Sequence, residues 1–226
     1  MNFILWILRW HQGLSDMNRS QLGLYLVTDR SIGGDRDIAE IVKAAVDGGV
    51  TMVQLREKSI STKEFIELAV RLRRTLTPYG VPLIINDRVD VAVASEADGV
   101  HIGQSDIPYI MARKILGPDK IIGLSVENFE QIEEVNALDV DYIGVSPVFA
   151  TPTKTDTCAP FGLEGLRKAV LMSVHPTVAI GGINASTAAD VVATGTDGLA
   201  VVSAIVGAES PRNAAAELCS IINRNR

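Results

Sequence analysis

Eight short apolar runs, each four to six residues long, recur along the 226-residue chain, and each ends in a polar or glycine-rich cluster. They cover 24–28, 51–56, 83–86, 99–102, 121–125, 142–145, 177–180 and 198–202. Runs of this length, bounded by Pro, Gly or charged residues, read as strands buried on both faces. Between them lie segments with apolar residues at helical spacing: 38–47, 61–76, 89–95, 107–116, 128–137, 163–172, a helix opening at 185–186, and 212–222. Ser61 and Glu64 have the spacing of a capping box, Pro108 falls in a first helical turn, and Gly48-Gly49 is a helix stop. A strand-helix unit repeated eight times with right-handed crossovers closes into a barrel. The expected fold class is therefore α/β: a single (β/α)8 TIM barrel over residues 21–226, with a short N-terminal extension, residues 1–20, that is disordered or helical. An open doubly wound sheet is the alternative, but no GxGxxG follows the first strand. A weak echo supports the register: EADGV at 96–100, DVDYI at 139–143 and GTDGL at 195–199 each place an Asp just before an apolar strand.

Composition agrees and excludes several roles. Hydrophobic residues make up 47% and aromatics only 5%, an aliphatic core of the kind that helix-covered parallel sheets have. The net charge is −6 and no basic stripe appears, so nucleic acid is not an expected partner. The opening MNFILWILRW is apolar but short and interrupted by Arg9, so no membrane span is expected, and it lacks the basic start and cleavage site of a signal peptide. The two cysteines, Cys158 and Cys219, have neither metal nor disulfide spacing and read as free thiols in a reducing cytoplasm.

In a barrel of this kind the carboxyl ends of the strands meet on one rim, which carries the chemistry. Strand two ends in Gln54, Arg56 and Lys58, and strand three in Asn86, Asp87 and Arg88. Gln104 and Asp106 follow strand four, Ser125 ends strand five, and Thr151, Thr153 and Lys154 lie in the long polar loop after strand six. Asp87 and Asp106 follow adjacent strands; carboxylates brought together repel unless a cation lies between them, and two carboxylates plus phosphate oxygens commonly hold Mg²⁺. With Arg56, Lys58 and Lys154 facing them, the set suggests a metal-bound diphosphate, the bland alternative being a salt-bridged rim. Gly181-Gly182 after strand seven and Val202-Ser203 after strand eight match the place where barrels bind a monophosphate on backbone N–H groups; a tight turn needing glycine is the alternative. Arg88 at the surface and Asn86-Asp87 as a helix cap are ordinary readings, and His101, inside strand four, reads as a satisfied interior residue. Two phosphate sites side by side imply two phosphorylated small-molecule substrates and a transfer between them. The loop over 146–162 is long enough to close over both as a lid.

QLREK at 54–58, INDR at 85–88, DGVHIGQSD at 98–106, PVFATPTK at 147–154, AIGGI at 179–183 and VVSAI at 201–205 together resemble the thiamine-phosphate synthase family over nearly all of the chain from Leu24 onward. The resemblance implies a transferase that condenses 4-amino-2-methyl-5-hydroxymethylpyrimidine diphosphate with 4-methyl-5-(2-phosphoethyl)thiazole, or its carboxylated form, releasing pyrophosphate with Mg²⁺ assistance. It implies that Gln54, Leu55, Arg56, Glu57, Lys58, Asn86, Ser125 and Lys154 bind the pyrimidine diphosphate, with Arg56, Ser125 and Lys154 acting in catalysis. Asp87 and Asp106 would hold Mg²⁺, and Thr151, Pro152, Thr153, Gly182, Val202 and Ser203 would bind the thiazole phosphate. One departure stands out: the family usually reads Ser-Thr-His after strand five, where this chain has Ser125-Val126-Glu127. A related thiazole tautomerase uses a histidine in that loop, so Glu127 weighs against the isomerase reading. That reading, and a non-catalytic binder of thiamine precursors, remain the alternatives at this stage.

Overall fold

The computed structural model describes residues 19–150 and 159–226. Eight strands, β1 (Leu24–Val27), β2 (Met52–Leu55), β3 (Leu83–Asn86), β4 (Gly99–Ile102), β5 (Ile121–Val126), β6 (Tyr142–Val145), β7 (Thr177–Ile180) and β8 (Gly198–Val201), form a closed barrel in chain order. Every neighbouring pair is parallel, and β8 closes on β1 through Leu24↔Leu199 and Leu26↔Val201. The expected (β/α)8 barrel is therefore the observed one.

Alternation along each strand separates two apolar layers, because successive side chains point to opposite faces. Leu24, Leu26, Val53, Leu55, Leu83 and Ile85 point outward and pack against the helices in the larger core. Tyr25, Val27, Met52, Ile84, Tyr142, Val178 and Ala200 point inward and form a smaller core inside the barrel. Leu22, on the 3-10 turn Arg19–Leu22, belongs to this inner layer with 0% exposure. It sits close against β8, where a Cβ on Gly198 would lie 2.0 Å from the Leu22 carbonyl oxygen. Arg19 adds an ion pair to Asp197 at 2.9 Å. Arg19, in the extension by sequence, thus pairs with a residue of the barrel; residues 1–18 lie outside the described part. Leu22→Ala should cost about 2–5 kcal/mol, as large-to-small changes in a closed core do. Urea unfolding of the two proteins measures it, and a difference under about 1 kcal/mol would show that this end of the barrel collapses readily around the void.

The Asp echo in the sequence has a structural meaning. Each of these aspartates accepts a hydrogen bond from an amide near the start of the preceding strand: Leu83 N to Asp98 at 2.8 Å, Ile122 N to Asp141 at 2.7 Å, and Thr177 N to Asp197 at 2.8 Å. Thr51 does the same for Leu24 N at 2.9 Å. One residue before each even-numbered strand therefore satisfies an amide of the strand before it, at the end opposite the polar rim.

Helix boundaries follow local chemistry. The capping box forms as expected, Ser61 Oγ accepting from Glu64 N at 3.2 Å and Glu64 Oε2 from Ser61 N at 2.9 Å. The helix expected to open at 185–186 begins later, as Ala188–Val192. Asn184 Oδ1 accepts from Ser186 N at 2.9 Å and from Ser186 Oγ at 2.6 Å, and that side-chain turn delays the helix. Pro108 is the N-cap residue of Tyr109–Leu116 rather than a first-turn residue. Two short helices, Arg30–Gly33 and Ser203–Val206, were not expected. Among the described residues no helix is long and apolar enough to cross a membrane.

Candidate active site

A cavity of about 420 Å³ opens at the carboxyl ends of the strands, with its floor on the inward residues of the barrel. Gln54, Arg56, Lys58, Asn86, Asp87, Asp106, Ser125, Gly182, Val202 and Ser203 all line it, so residues drawn from distant parts of the sequence meet in one space. Leu55 and Glu57 do not line it. Leu55 has 0% exposure in the outer core, and Glu57 is engaged by Arg30 at 3.1 Å. The two-residue period explains the split: Gln54 and Arg56 face in, and Leu55 between them faces out. Arg88 turns away to Asp90 at 2.6 Å and Thr62 at 3.0 Å, the surface role that its bland reading assigned. Thr151, Pro152, Thr153 and Lys154 lie outside the described residues, as does the rest of the middle of the expected lid, 151–158. The feet of that loop are well anchored. Phe161 N donates to Pro147 O at 2.9 Å, Gly162 N to Val148 O at 3.0 Å, and the Phe129 and Phe161 rings meet edge to face at 5.4 Å.

The acidic pair sits beside a cation. Lys58 Nζ lies 2.6 Å from Asp87 Oδ2. Asp106 Oδ2 accepts from Gly103 N at 2.7 Å. Burial, first, and the adjoining Asp87 push the Asp106 carboxyl above its usual range, while the Gly103 amide and Lys58 pull it back. Asp87 holds a left-handed backbone at φ 61°, uncommon for a residue with a Cβ but tolerated by Asp. Its amide donates to His101 O at 2.8 Å, tying the β3 end to β4. Strain of this kind is kept where the surroundings hold it, often at functional positions. Among the described residues no third carboxylate, histidine or cysteine completes a metal cluster. Two carboxylates, one of them disfavoured as an anion by the other, fit a hard divalent cation whose remaining positions are filled by water and phosphate oxygens.

Arg56 is aimed by a residue that sequence reasoning left outside the site. Asp29 Oδ2 accepts from Arg56 Nη1 at 3.1 Å, while Asp29 Oδ1 accepts from Ser31 N at 2.9 Å as the cap of Arg30–Gly33. With Arg30 on Glu57, two crossed ion pairs lock the loop after β1 to the loop after β2. Asp29→Asn keeps an acceptor for Ser31 and removes the ion pair. On the expectation that Arg56 binds a diphosphate, it should weaken pyrophosphate binding about fivefold, the scale of a partly exposed pair near 1 kcal/mol. Calorimetric titration reads this directly, and unchanged affinity would mean that Arg56 needs no anchor.

On the opposite wall, the helix Ser203–Val206 has no side-chain N-cap among the described residues; Ile205 N and Val206 N donate to Val202 O at 3.2 and 2.9 Å, and the amides of Ser203 and Ala204 remain for another acceptor. Arg36 secures its other end, donating to Ala208 O at 2.7 Å, to Gly33 O at 3.1 Å and to Val206 O. Gly182 has φ 67°, and an added Cβ would lie 2.8 Å from Phe149 Cβ. Glycine is thus required there both by its backbone conformation and by contact with the β6 loop.

The chain is similar to known proteins over most of its length. The family model described as "Thiamine monophosphate synthase" matches residues 24–205. The thiamine-phosphate synthase of Albidiferax ferrireducens is 52% identical over 208 residues, covering 92% of this chain and 95% of that protein. The thiamine-phosphate synthase of Vibrio campbellii is 52% identical over 202 residues, covering 88% of this chain and 97% of that one. Among solved structures, a thiamine phosphate pyrophosphorylase from Pyrococcus furiosus superposes with a TM-score of 0.85 at 42% identity, covering 92% of this chain and 98% of that one. The isomerase and non-catalytic readings gain no support from these relatives. The chain belongs to the thiamine monophosphate synthase family.

Proposed function

We infer that the cavity joins a pyrimidinylmethyl diphosphate to a thiazole monophosphate. The C–O bond to the diphosphate breaks, the thiazole ring nitrogen forms the new C–N bond, and pyrophosphate and thiamine phosphate leave. The observation that carries this reading is the division of one cavity between two anion-binding walls. Arg56, Lys58 and the Asp87–Asp106 pair form one, and the turn at Gly181-Gly182 with the uncapped start of Ser203–Val206 forms the other.

Arg56, held by Asp29, and Lys58 take the charge that develops as pyrophosphate departs. Asp87 and Asp106 would hold Mg²⁺, which when bound neutralises part of the same charge. Lys58 now sits on Asp87 and is within reach of any phosphate oxygen placed there. Ser125 and Gln54 on the cavity floor orient the pyrimidine diphosphate, and Asn86 borders it. Val202 and Ser203 present backbone to the thiazole phosphate from the other side, joined by Thr151, Pro152 and Thr153, while Lys154 belongs with Arg56 and Ser125 at the diphosphate; the roles of Thr151, Pro152, Thr153 and Lys154 rest on the family resemblance alone. The attacking ring nitrogen carries no proton, so the mechanism needs no strong general base. Positioning and preorganised charge lower the barrier. The test mixes the two substrates with Mg²⁺ and follows thiamine phosphate and pyrophosphate, with a chelator in a parallel reaction. Formation of both products, abolished by the chelator, is expected. Neither product forming would overturn the reading, and products formed equally in chelator would remove the metal from it.

A further inference from the structure

Five side chains from five strands form one hydrogen-bonded line inside the barrel. Gln54 Nε2 donates to Tyr25 Oη at 2.9 Å, Tyr25 Oη meets Tyr142 Oη at 2.9 Å, and Tyr142 Oη meets His101 Nδ1 at 3.0 Å. His101 Nε2 then meets Ser125 Oγ at 2.8 Å, on the cavity floor. The line is built into the barrel. In register, Gly123 on β5 pairs with both His101 on β4 and Tyr142 on β6. A Cβ there would lie 2.6 Å from His101 Nδ1 and 2.1 Å from Tyr142 Cζ, so the small residue makes room for the two rings, which stack at 5.5 Å.

The direction of the line follows from its first member. An amide NH₂ donates and cannot accept. Burial raises both phenols, so each keeps its hydrogen at neutral pH. Tyr25 Oη accepts from Gln54, and among the described residues its own hydrogen has Tyr142 Oη as acceptor. Tyr142 then donates to His101 Nδ1, which in the neutral imidazole leaves the ring hydrogen on Nε2. That hydrogen goes to Ser125 Oγ, and the Ser125 hydroxyl hydrogen turns to the cavity. With the Gln54 amide reversed, every step would invert, Nδ1 would carry the hydrogen and Ser125 would be an acceptor.

We propose that His101 is a positioning residue: through its Nε2–H tautomer, set by Tyr25 and Tyr142, it fixes Ser125 as a hydrogen donor to an acceptor atom of the diphosphate substrate. The substrate half of this statement rests on the function inferred above; the tautomer does not.

Two measurements test it on the full chain. In protein carrying ¹⁵N-histidine, with the His101 resonances assigned by their loss in His101→Gln, an unprotonated Nδ1 and a protonated Nε2 are expected. The Nδ1–H tautomer would overturn the proposal. Tyr142→Phe removes the donor to Nδ1 and should shift those resonances toward a mixture of tautomers; an unchanged spectrum would also overturn it. In turnover, Ser125→Ala and His101→Leu should each lower kcat about ten- to hundredfold, the scale of a lost hydrogen bond to a charged partner. KM for the thiazole phosphate should stay the same. Because His101 acts through Ser125, the double variant should be no slower than the slower single one, and His101→Gln should recover part of the loss. Losses that multiply would overturn the positioning role. If His101→Leu does not fold, the tautomer in the unaltered protein and in Tyr142→Phe still decides. If the unaltered protein makes no thiamine phosphate, the function fails while the tautomer measurement stands on its own.

Discussion

Asp106→Asn should lower Mg²⁺-dependent turnover about a hundredfold or more while leaving the fold at neutral pH as stable as before, or more so. The two effects have one cause. In the folded chain the Asp106 carboxyl binds its proton more tightly than usual, because it is buried and faces Asp87. Such a group contributes stability below its unfolded pKa, and that contribution is lost as pH rises through the raised folded value. At neutral pH the charged form of Asp106 is therefore a net cost in the metal-free protein. The neutral amide introduced by Asp106→Asn would remove that cost and keep an acceptor for the Gly103 amide, now 2.7 Å from the carboxylate. It would also remove half of the charge available to a divalent cation. Asparagine is the right replacement at Asp87 as well, because alanine would be strained at φ 61°. Steady-state rates against Mg²⁺, with thermal unfolding at neutral and acid pH, separate the two consequences. Asp106→Asn at full rate in low Mg²⁺ would remove the carboxylate pair from the metal reading. A large loss of stability at neutral pH would remove the repulsion argument.

Gly123→Ala should be among the most damaging single-methyl additions in this chain. The added Cβ would lie 2.1 Å from Tyr142 Cζ and 2.4 Å from its Oη. Tyr142 is held in place, with 0% exposure and hydrogen bonds to Tyr25 and His101. Overpacking of a closed core costs about 1–3 kcal/mol, and here the upper end is expected because a rigid ring rather than a flexible side chain is in the way. Turnover should fall with stability, since the displaced ring breaks the line that ends on Ser125. Gly144→Ala is the comparison: its Cβ would lie 3.1 Å from His101 Cε1, a contact that a shift of a few tenths of an ångström relieves. Urea unfolding of both variants gives the ordering. Equal costs would show that the interior adjusts more freely than its packing implies.

The barrel is legible in the chain because its signals are local. Each strand is a short apolar run with its own stop, Ser61 and Glu64 cap their helix from three residues apart, and Asp98, Asp141 and Asp197 each bond an amide of the strand just before their own. The acidic pair and the cations could be gathered from strand ends alone, since a barrel brings all such ends to one rim. What sequence did not resolve is which neighbours lie on the same face. Leu55 and Glu57 read as part of one binding stretch with Gln54 and Arg56, and the strand period turns Leu55 outward while Arg30 draws Glu57 off the cavity. Tyr25 and Tyr142 carry no signal of their own, for each is an aromatic inside an apolar run. They meet across 117 residues because β1 and β6 face each other through the barrel interior, and Gly123 became a packing necessity only when His101 and Tyr142 closed over it from either side. Local chemistry therefore determined the elements and the composition of the rim. The direction of each side chain and the partner of each buried polar group were decided by closure of the sheet, because only then do residues distant in the chain share an interior in which buried donors must find acceptors.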